Sequence, residues 1–299
     1  MFKKKGIGWI GLGKMGNPMA KRLLGAGYFL TVYDVVREKV EEIKAIGAQV
    51  VDSPKGVTSN SDWIITMIPD DPVLESVTLA RDGIFENGRK DSIFIDMSTV
   101  SPVVSGRVAK GAEEKSIRYL RAPVSGSTVL AAAGNLTIFV SGPKETYDEC
   151  LNIFRTLGQK IFYVGTGEES RYMKLLLNMM VGISSAMMAE ALTFGERGGI
   201  EWHQMIDIIN SSVVASPLIG YKAQILRERN FAPAFTVDQM AKDFDIALDT
   251  GKALNLPMPA TALARQFFSM MKATGKGNLD FFSLVLLMEE LAGIKQHKE

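Results

Sequence analysis

The chain has one cysteine, two histidines and a net charge of only +1, and each scarcity removes a class of function. Cys150 has no internal disulfide partner, and the lack of any disulfide framework points to a reducing, cytoplasmic setting. It reads as a buried residue on a helix rather than as a catalytic thiol. His203, near a helix start, and His297, in the tail, have no Cys or His partner at metal spacing. No metal site is therefore expected, and histidine chemistry is disfavoured. Near-zero net charge leaves no electrostatic footprint for nucleic acid or a membrane surface. The Lys3-Lys4-Lys5 cluster is too short for a basic arm and reads as a solvated start. Glycines 6, 8, 11 and 13 break up the apolar stretch after it, so no signal-peptide core is expected. No uninterrupted run of 18 apolar residues occurs either, which argues against a membrane span. What is present is 299 residues, 46% hydrophobic and 22% charged, the composition of a soluble globular protein with one large domain or two ordinary ones.

A short apolar run, 7–10, leads directly into Gly11-Leu12-Gly13-Lys14-Met15-Gly16, and an amphipathic helix begins at once. Glycine triplets at this spacing arise by chance, so the context carries the argument. The first glycine permits the tight strand-to-helix turn, the second lets a pyrophosphate approach the backbone, and the third lets helix and strand pack closely. The unpaired N–H groups and positive dipole end of the helix then face the phosphates. A second strand, 29–33, ends in Asp34, 21 residues after Gly13, where an acidic side chain reaches the adenosine ribose hydroxyls. The pattern is that of a dinucleotide-binding chain. Asp34 favours NAD, because its carboxylate repels a 2′-phosphate, while Arg37 leaves NADP open.

Strand-like runs recur at 7–10, 29–33, 49–51, 63–68, 92–96, 117–120, 136–140 and 160–164. Amphipathic, helix-length segments lie between them at 17–26, 36–46, 71–80, 101–115 and 143–156. This alternation predicts an α/β doubly wound, mostly parallel sheet with helices on both faces. Ser53-Pro54 and Ser101-Pro102 mark two helix starts, with serine as cap and proline in the first turn. Past residue 165 only helical periods appear, at about 201–210, 217–228, 236–254, 259–274 and 281–292. They are preceded by 171–194, which has almost no polar face and should be a helix buried on all sides, covered by both domains and by a second subunit. Lys174, Asn178, Ser184, Ser185 and Glu190 interrupt it too often for a membrane helix. The expected division is a nucleotide-binding domain over 1–164 and an all-α substrate and oligomerisation domain over 165–299 that starts with this interdomain helix. The apolar segment 281–291 adds to the expectation of a homodimer or homotetramer.

Lys174 and Asn178 are polar residues in an apolar helix, and their i, i+4 spacing puts both on one face. Apolar surroundings disfavour the ammonium form and move a lysine towards the working range of an acid/base catalyst. The alternative is that Lys174 snorkels to the surface or pairs with Glu190 or Asp243. Both readings stand on these residues alone. A second candidate is Ala122-Pro123-Val124-Ser125-Gly126-Ser127-Thr128, at the carboxyl end of a strand, where open α/β sheets bind ligands. Small hydroxyls and N–H groups on a glycine-containing loop suit a carboxylate oxygen, although an ordinary connection has a similar composition. Ser125 lacks a G-x-S-x-G setting and a well-placed histidine, so it is not a nucleophile.

Taken together these landmarks resemble the β-hydroxyacid dehydrogenase family, which includes 3-hydroxyisobutyrate dehydrogenase, tartronate semialdehyde reductase and related glyoxylate and succinic semialdehyde reductases. The run from Gly11 to Ala20 resembles the family's nucleotide signature, and Asp96-Met97-Ser98-Thr99 matches the stretch whose Thr approaches the nicotinamide. Ala122 to Gly126, followed by Ala132 and Gly134-Asn135-Leu136, resembles the substrate signature. Lys174 and Asn178 match the catalytic lysine and its partner asparagine, and Lys242-Asp243 matches the cofactor-contacting lysine region. The resemblance covers essentially the whole chain. It implies a Rossmann-type domain that binds NAD, or NADP, through Gly11, Leu12, Gly13, Met15, Gly16, Asp34, Met67, Ile68, Pro69, Thr99, Phe235 and Lys242. It implies a small anionic hydroxy acid or semialdehyde held by Ser125, Gly126, Ser127, Lys174 and Asn178, with Lys174 as acid/base. Phe231, Phe235 and Lys242 are then candidates for specificity.

Two other readings compete. An NADPH-dependent semialdehyde, glyoxylate or imine-type reductase is one, and Lys174 argues against its imine form. A non-enzymatic dinucleotide-binding protein is the other, and the joint presence of Lys174, Asn178 and the serine loop argues against it. The chain also departs from the family pattern. Arg121 stands where an acidic residue is usual, Ser127 replaces a glycine, and Gly167-Glu168-Glu169-Ser170 lacks the usual glycines at 168 and 170. A reshaped entrance is expected. Arg121 either adds a positive charge that favours a second anionic group or pairs with a neighbouring carboxylate.

Overall fold

Short apolar strands alternate with helices up to Lys174, where the first of two compact units ends in this computed structural model; the second starts at Leu175. Residues 6–294 are described, so Lys3-Lys4-Lys5 and His297 lie outside the described residues. The first unit opens with β1 (Ile7–Ile10), α1 (Gly16–Gly25), β2 (Leu30–Tyr33), α2 (Arg37–Lys44) and β3 (Gln49–Val50). It continues with α3 (Pro54–Ser59), β4 (Trp63–Thr66), α4 (Asp71–Leu79), α5 (Ile84–Asn87), β5 (Ile93–Asp96) and α6 (Pro102–Glu114). Then come β6 (Arg118–Arg121), β7 (Val124–Ser125), α7 (Thr128–Ala133), β8 (Leu136–Ser141), α8 (Lys144–Leu157) and β9 (Gly158–Gly165). The long helix α9 (Glu169–Arg197) begins in this unit and carries the chain into the second.

The strands form one sheet in the order β3-β2-β1-β4-β5-β6-β8-β7, with β9 paired to β8. β1 to β6 pair in parallel, and β8 runs antiparallel to β6 and β7. The order reverses between β1 and β4, which opens a crevice at the carboxyl ends of those strands. Alternation along each strand feeds both faces. Ile93 and Ile95 of β5 enter one core cluster with Ile7, Trp9 and Ile65, whereas Phe94 enters the other with Ile10 and Ile64. The doubly wound α/β architecture is thus the one the alternation predicts. Ser53 and Ser101 cap α3 and α6 by accepting from the N–H groups of Gly56 and Val104, each with a proline in the first turn.

Several boundaries differ from the sequence reading for local reasons. The run 63–68 ends as a strand at Thr66; the Met67 N–H still donates to the Ile10 carbonyl at 2.9 Å, and the Ile68 N–H then donates to the Ser98 side chain at 2.9 Å. Short α3, α5 and α7 and the two-residue β7 have too few residues to show a period. Cys150 is fully buried on α8.

The second unit is helical: the remainder of α9, then α10 (Trp202–Ser211), α11 (Pro217–Glu228), α12 (Val237–Ala253), α13 (Pro259–Ala273), a 3-10 turn (Phe281–Ser283) and α14 (Leu284–Leu291). The period expected over 281–292 is split because Asp280 caps the 3-10 turn through the Phe282 N–H. Phe244 of α12 centres the core beside Phe268 and Met240. α9 meets α12 at Gly182, where a Cβ would lie 2.2 Å from the Phe244 ring.

Within a single chain α9 buries one side. Leu176, Met180, Met187 and Phe194 are exposed, the last by 82%, while Leu175, Gly182, Ala186, Ala189 and Leu192 are buried. The helix therefore has two apolar faces and covers only one. By length and composition it is also apolar enough to cross a bilayer, despite its polar interruptions, and less than half of its most apolar stretch is buried.

Candidate active site

The site begins at the turn between β1 and α1. Gly11 takes φ +98°, and a Cβ there would lie 2.3 Å from the Met67 carbonyl oxygen, so the turn can pass the end of β4 only as glycine. Gly16 opens α1 with its Cα so close to the Gly11 carbonyl that a Cβ would lie 2.0 Å from that oxygen. Gly13 has open space where a Cβ would be, the clearance a pyrophosphate needs. Met15 occupies the cap position of α1 without a capping side chain, and within the first turn the Asn17 N–H donates to the Gly13 carbonyl at 3.0 Å. These residues fit a dinucleotide.

Asp34 follows β2 and binds the same turn. Its carboxylate accepts from the Leu12 N–H at 2.6 Å and from the Val36 N–H at 2.8 Å. Each oxygen keeps a lone pair for a ribose hydroxyl, and the two N–H bonds set its direction. The loops after β4 and β5 are likewise joined: Met67, Ile68 and Pro69 follow β4, and the Ile68–Ser98 bond ties them to the segment carrying half-buried Thr99. Ser125 ends β7 and is half-buried, Gly126 is exposed, and Ser127 caps α7 through the Leu130 N–H at 3.4 Å.

Lys174 is half-buried on α9, and Asn178 lies one turn further on, buried. The Asn178 side-chain N–H donates to Asp243 Oδ2, and the Asp243 carboxylate, 2% exposed, has Lys242 Nζ 3.1 Å from its other oxygen. Asp243 thus meets Asn178 and Lys242, and Glu190 is exposed. Phe235 belongs to the helical unit, edge-on to Phe281 with ring centroids 6.1 Å apart, and Phe231 is buried in the same core. His203 pairs with Glu201 on the surface of α10.

The departures at 121 and 168–170 meet one another. The Arg121 guanidinium is buried, donates from Nε to Glu168 Oε1 at 2.9 Å with a second bond to the same oxygen, and lies 4.4 Å above the Tyr119 ring. Its charge is answered by Glu168, so it is not the free cation for a second anionic group that one reading of the sequence allowed. Ser170 bonds to Ser141 Oγ at 2.8 Å and to the Arg121 carbonyl at 3.2 Å.

Sequence reasoning missed the most buried ion pair of the unit. Arg171, three residues before Lys174, donates to Asp96 Oδ2 at 2.5 Å, to the Tyr119 hydroxyl and the Ser98 carbonyl at 2.8 Å each, and to Ser105 Oγ at 3.2 Å. Burial opposes the Arg171 charge, yet Tyr119, Asp96 and Glu168 together hold its pKa above the ordinary guanidinium value. Burial pushes the Tyr119 hydroxyl up, against the pull of Arg171. The available signal was a full charge at the head of an apolar helix, three residues from the candidate catalyst.

A nucleotide turn at a switch point, followed by a helical unit, is the architecture of a dinucleotide-binding protein. Residues 6–165 match the family model for the NAD binding domain of 6-phosphogluconate dehydrogenase. Residues 167–288 match that for the NAD-binding region of NADP-dependent 3-hydroxyisobutyrate dehydrogenase. The chain is 34% identical over 295 residues to 2-(hydroxymethyl)glutarate dehydrogenase of Eubacterium barkeri, covering 98% of each. It is 32% identical over 289 residues to 2-hydroxy-3-oxopropionate reductase of Escherichia coli, covering 97% of this chain and 99% of the other. Among solved structures, Mycobacterium tuberculosis 3-hydroxyisobutyrate dehydrogenase with L-serine superposes with a TM-score of 0.88 at 25% identity, covering 96% and 99% of the two chains. The chain belongs to the β-hydroxyacid dehydrogenase family and is an oxidoreductase with NAD(P)-binding domains.

Replacing Gly16 with alanine forces α1 away from the Gly11 carbonyl. NADH affinity, read by fluorescence titration, is expected to fall by roughly tenfold or more; unchanged affinity would show that the turn yields without consequence.

Proposed function

We propose that the chain uses NAD to interconvert a short-chain hydroxy acid with its semialdehyde or keto acid, with Lys174 as general acid/base. The observation that carries this reading is the pair on α9. Lys174 is half-buried, and Asn178, one turn on, has its amide nitrogen anchored to a buried carboxylate. Anchoring the nitrogen gives the amide carbonyl a fixed direction, as orienting a substrate oxygen requires. In oxidation Lys174 as the neutral amine takes the hydroxyl proton; in reduction its ammonium form returns that proton to the developing alkoxide. Ser125 and the N–H groups of Gly126 and Ser127 receive the substrate carboxylate. When bound, the nicotinamide ring supplies the hydride acceptor or donor. The named relatives act on small acids carrying a hydroxyl or aldehyde, which supports a small anionic substrate here.

An NAD-coupled absorbance screen over 3-hydroxyisobutyrate, 2-(hydroxymethyl)glutarate and 2-hydroxy-3-oxopropionate, widened to other short hydroxy acids and semialdehydes, tests the reaction. On the fastest of these, Lys174→Ala is expected to lower kcat by about 100-fold or more with NADH affinity kept. An unchanged rate would remove Lys174 from the acid/base role.

The preference for NAD rests on Asp34, whose fixed carboxylate repels a 2′-phosphate. NADP is the second reading, favoured by exposed Arg37 and by the NADP-dependent enzyme for which the second family model is named. The ratio of kcat/KM with the two cofactors is expected to favour NAD by roughly tenfold or more; a preference for NADP would sink the argument from Asp34.

The exposed row Leu176, Met180, Met187 and Phe194 recurs at the heptad-like spacing of a helix seam and supports a homo-oligomer, a dimer or tetramer, formed through α9. Light scattering after size-exclusion chromatography should return a multiple of the 32.7 kDa chain mass. A monomer at micromolar concentration would refute it.

A further inference from the structure

Arg171 is 1% exposed and sits in the first turn of α9, close to the positive end of the helix dipole. A cation there is unfavourable for the helix itself. Nor is stability a sufficient reason for it, since an apolar pair of similar volume generally stabilises as well as a buried ion pair. What the guanidinium adds is direction. Its planar fork reaches four acceptors at once: Asp96 ending β5, Ser98 in the following loop, Ser105 on α6 and Tyr119 on β6.

The contacts continue from there. Asp96 Oδ1 accepts from Thr66 Oγ1 and from Ser98 Oγ, each at 2.6 Å, and Ser98 Oγ accepts from the Ile68 N–H at 2.9 Å. A continuous set of buried bonds thus runs from the helix turn that bears Lys174 to the loops that bear Ile68 and Thr99. On the other side of the turn, Glu168 and Ser170 attach to Arg121 and Ser141, so the start of α9 is bolted to β5, β6 and β8 together. Lys174 lies three residues beyond Arg171, about 4.5 Å along the helix axis.

We infer that Arg171 is a positioning residue for the proton-transfer step. Its fork sets the place of the first turn of α9, and so of Lys174, against the strand ends whose loops line the nicotinamide side of the proposed site. The inference rests on the reading of Lys174 as the acid/base. Lysine at 171 keeps the charge but presents its donors from a single nitrogen, and cannot hold the four acceptors in one plane. A displacement of about 1 Å at a reacting group costs on the order of 100-fold in rate.

The test is Arg171→Lys in the full-length protein, assayed on the fastest of the acids screened above, with active sites counted by NADH fluorescence titration. Per-site kcat is expected to fall by roughly tenfold or more while KM and NADH affinity stay within about threefold. A purely structural role lowers the number of sites and leaves kcat per site unchanged, and that result overturns the inference. Should Arg171→Lys not fold, the double variant Arg171→Met with Asp96→Asn, which removes both charges, decides on the same readout. Lys174→Ala separates the two claims. If it retains the wild-type rate, the acid/base reading falls and this inference with it. If it is inactive while Arg171→Lys is normal per site, only the role of Arg171 falls.

Discussion

Asp96 closes β5 with none of its surface exposed, so its charge has to be answered inside the protein. Even after relaxation, burying a carboxylate costs several kcal/mol unless partners are in place. Here the partners come from separate segments: Thr66 at the end of β4, Ser98 in the next loop and Arg171 on α9. They can all be satisfied only when those segments occupy one arrangement. Removing a single partner from such a pair costs about 3–5 kcal/mol, because the other charge is left buried and unanswered. The ion pair is therefore an all-or-none constraint on where the strand ends and the helix start meet. Asp34 applies the same device on the other side of the switch point, holding the glycine turn by the Leu12 N–H. Two strand-end carboxylates thus hold the loops that flank the nucleotide crevice.

The charges around the start of α9 form a self-consistent set. Arg121 is stacked on Tyr119 and paired with Glu168, and Arg171 reaches the hydroxyl of the same tyrosine. A family member with an acidic residue at 121 and a glycine at 168 would lack this pair altogether. Substituting Arg at 121 makes physical sense only together with Glu at 168, since an unanswered buried guanidinium would be costly. In this chain the two departures answer one another as a buried pair.

The legible features are those that ask something local of the sequence. The glycine turn, the strand alternation and Asp34 each need particular residue types at near-fixed spacing, so they read directly. Ser125 and Lys174 stand out as candidates because a strand end and an apolar helix make polar residues conspicuous. The Asp96–Arg171 and Asn178–Asp243 pairs span 75 and 65 residues, and nothing in either segment names its partner. Short elements such as β7 and α7 hold less than two turns or two pleats and leave no period to detect.

The long helix shows the same limit in another form. Hydrophobicity records that a side chain does better away from water, but it does not say what covers it. On α9 one apolar face packs into the helical unit around Gly182, Ala186 and Leu192, and the opposite one, through Met180, Met187 and Phe194, faces outward. A sequence with both faces apolar looks the same whether the second lies under a domain, another subunit or lipid. The polar exceptions discriminate better than the apolar majority. Arg171 and Asn178 are buried with named partners, so a residue that breaks the apolar pattern marks where the helix must meet a defined group. Those breaks, at one end of the helix, are what fix its direction and depth, and the apolar remainder is free to serve packing on either side.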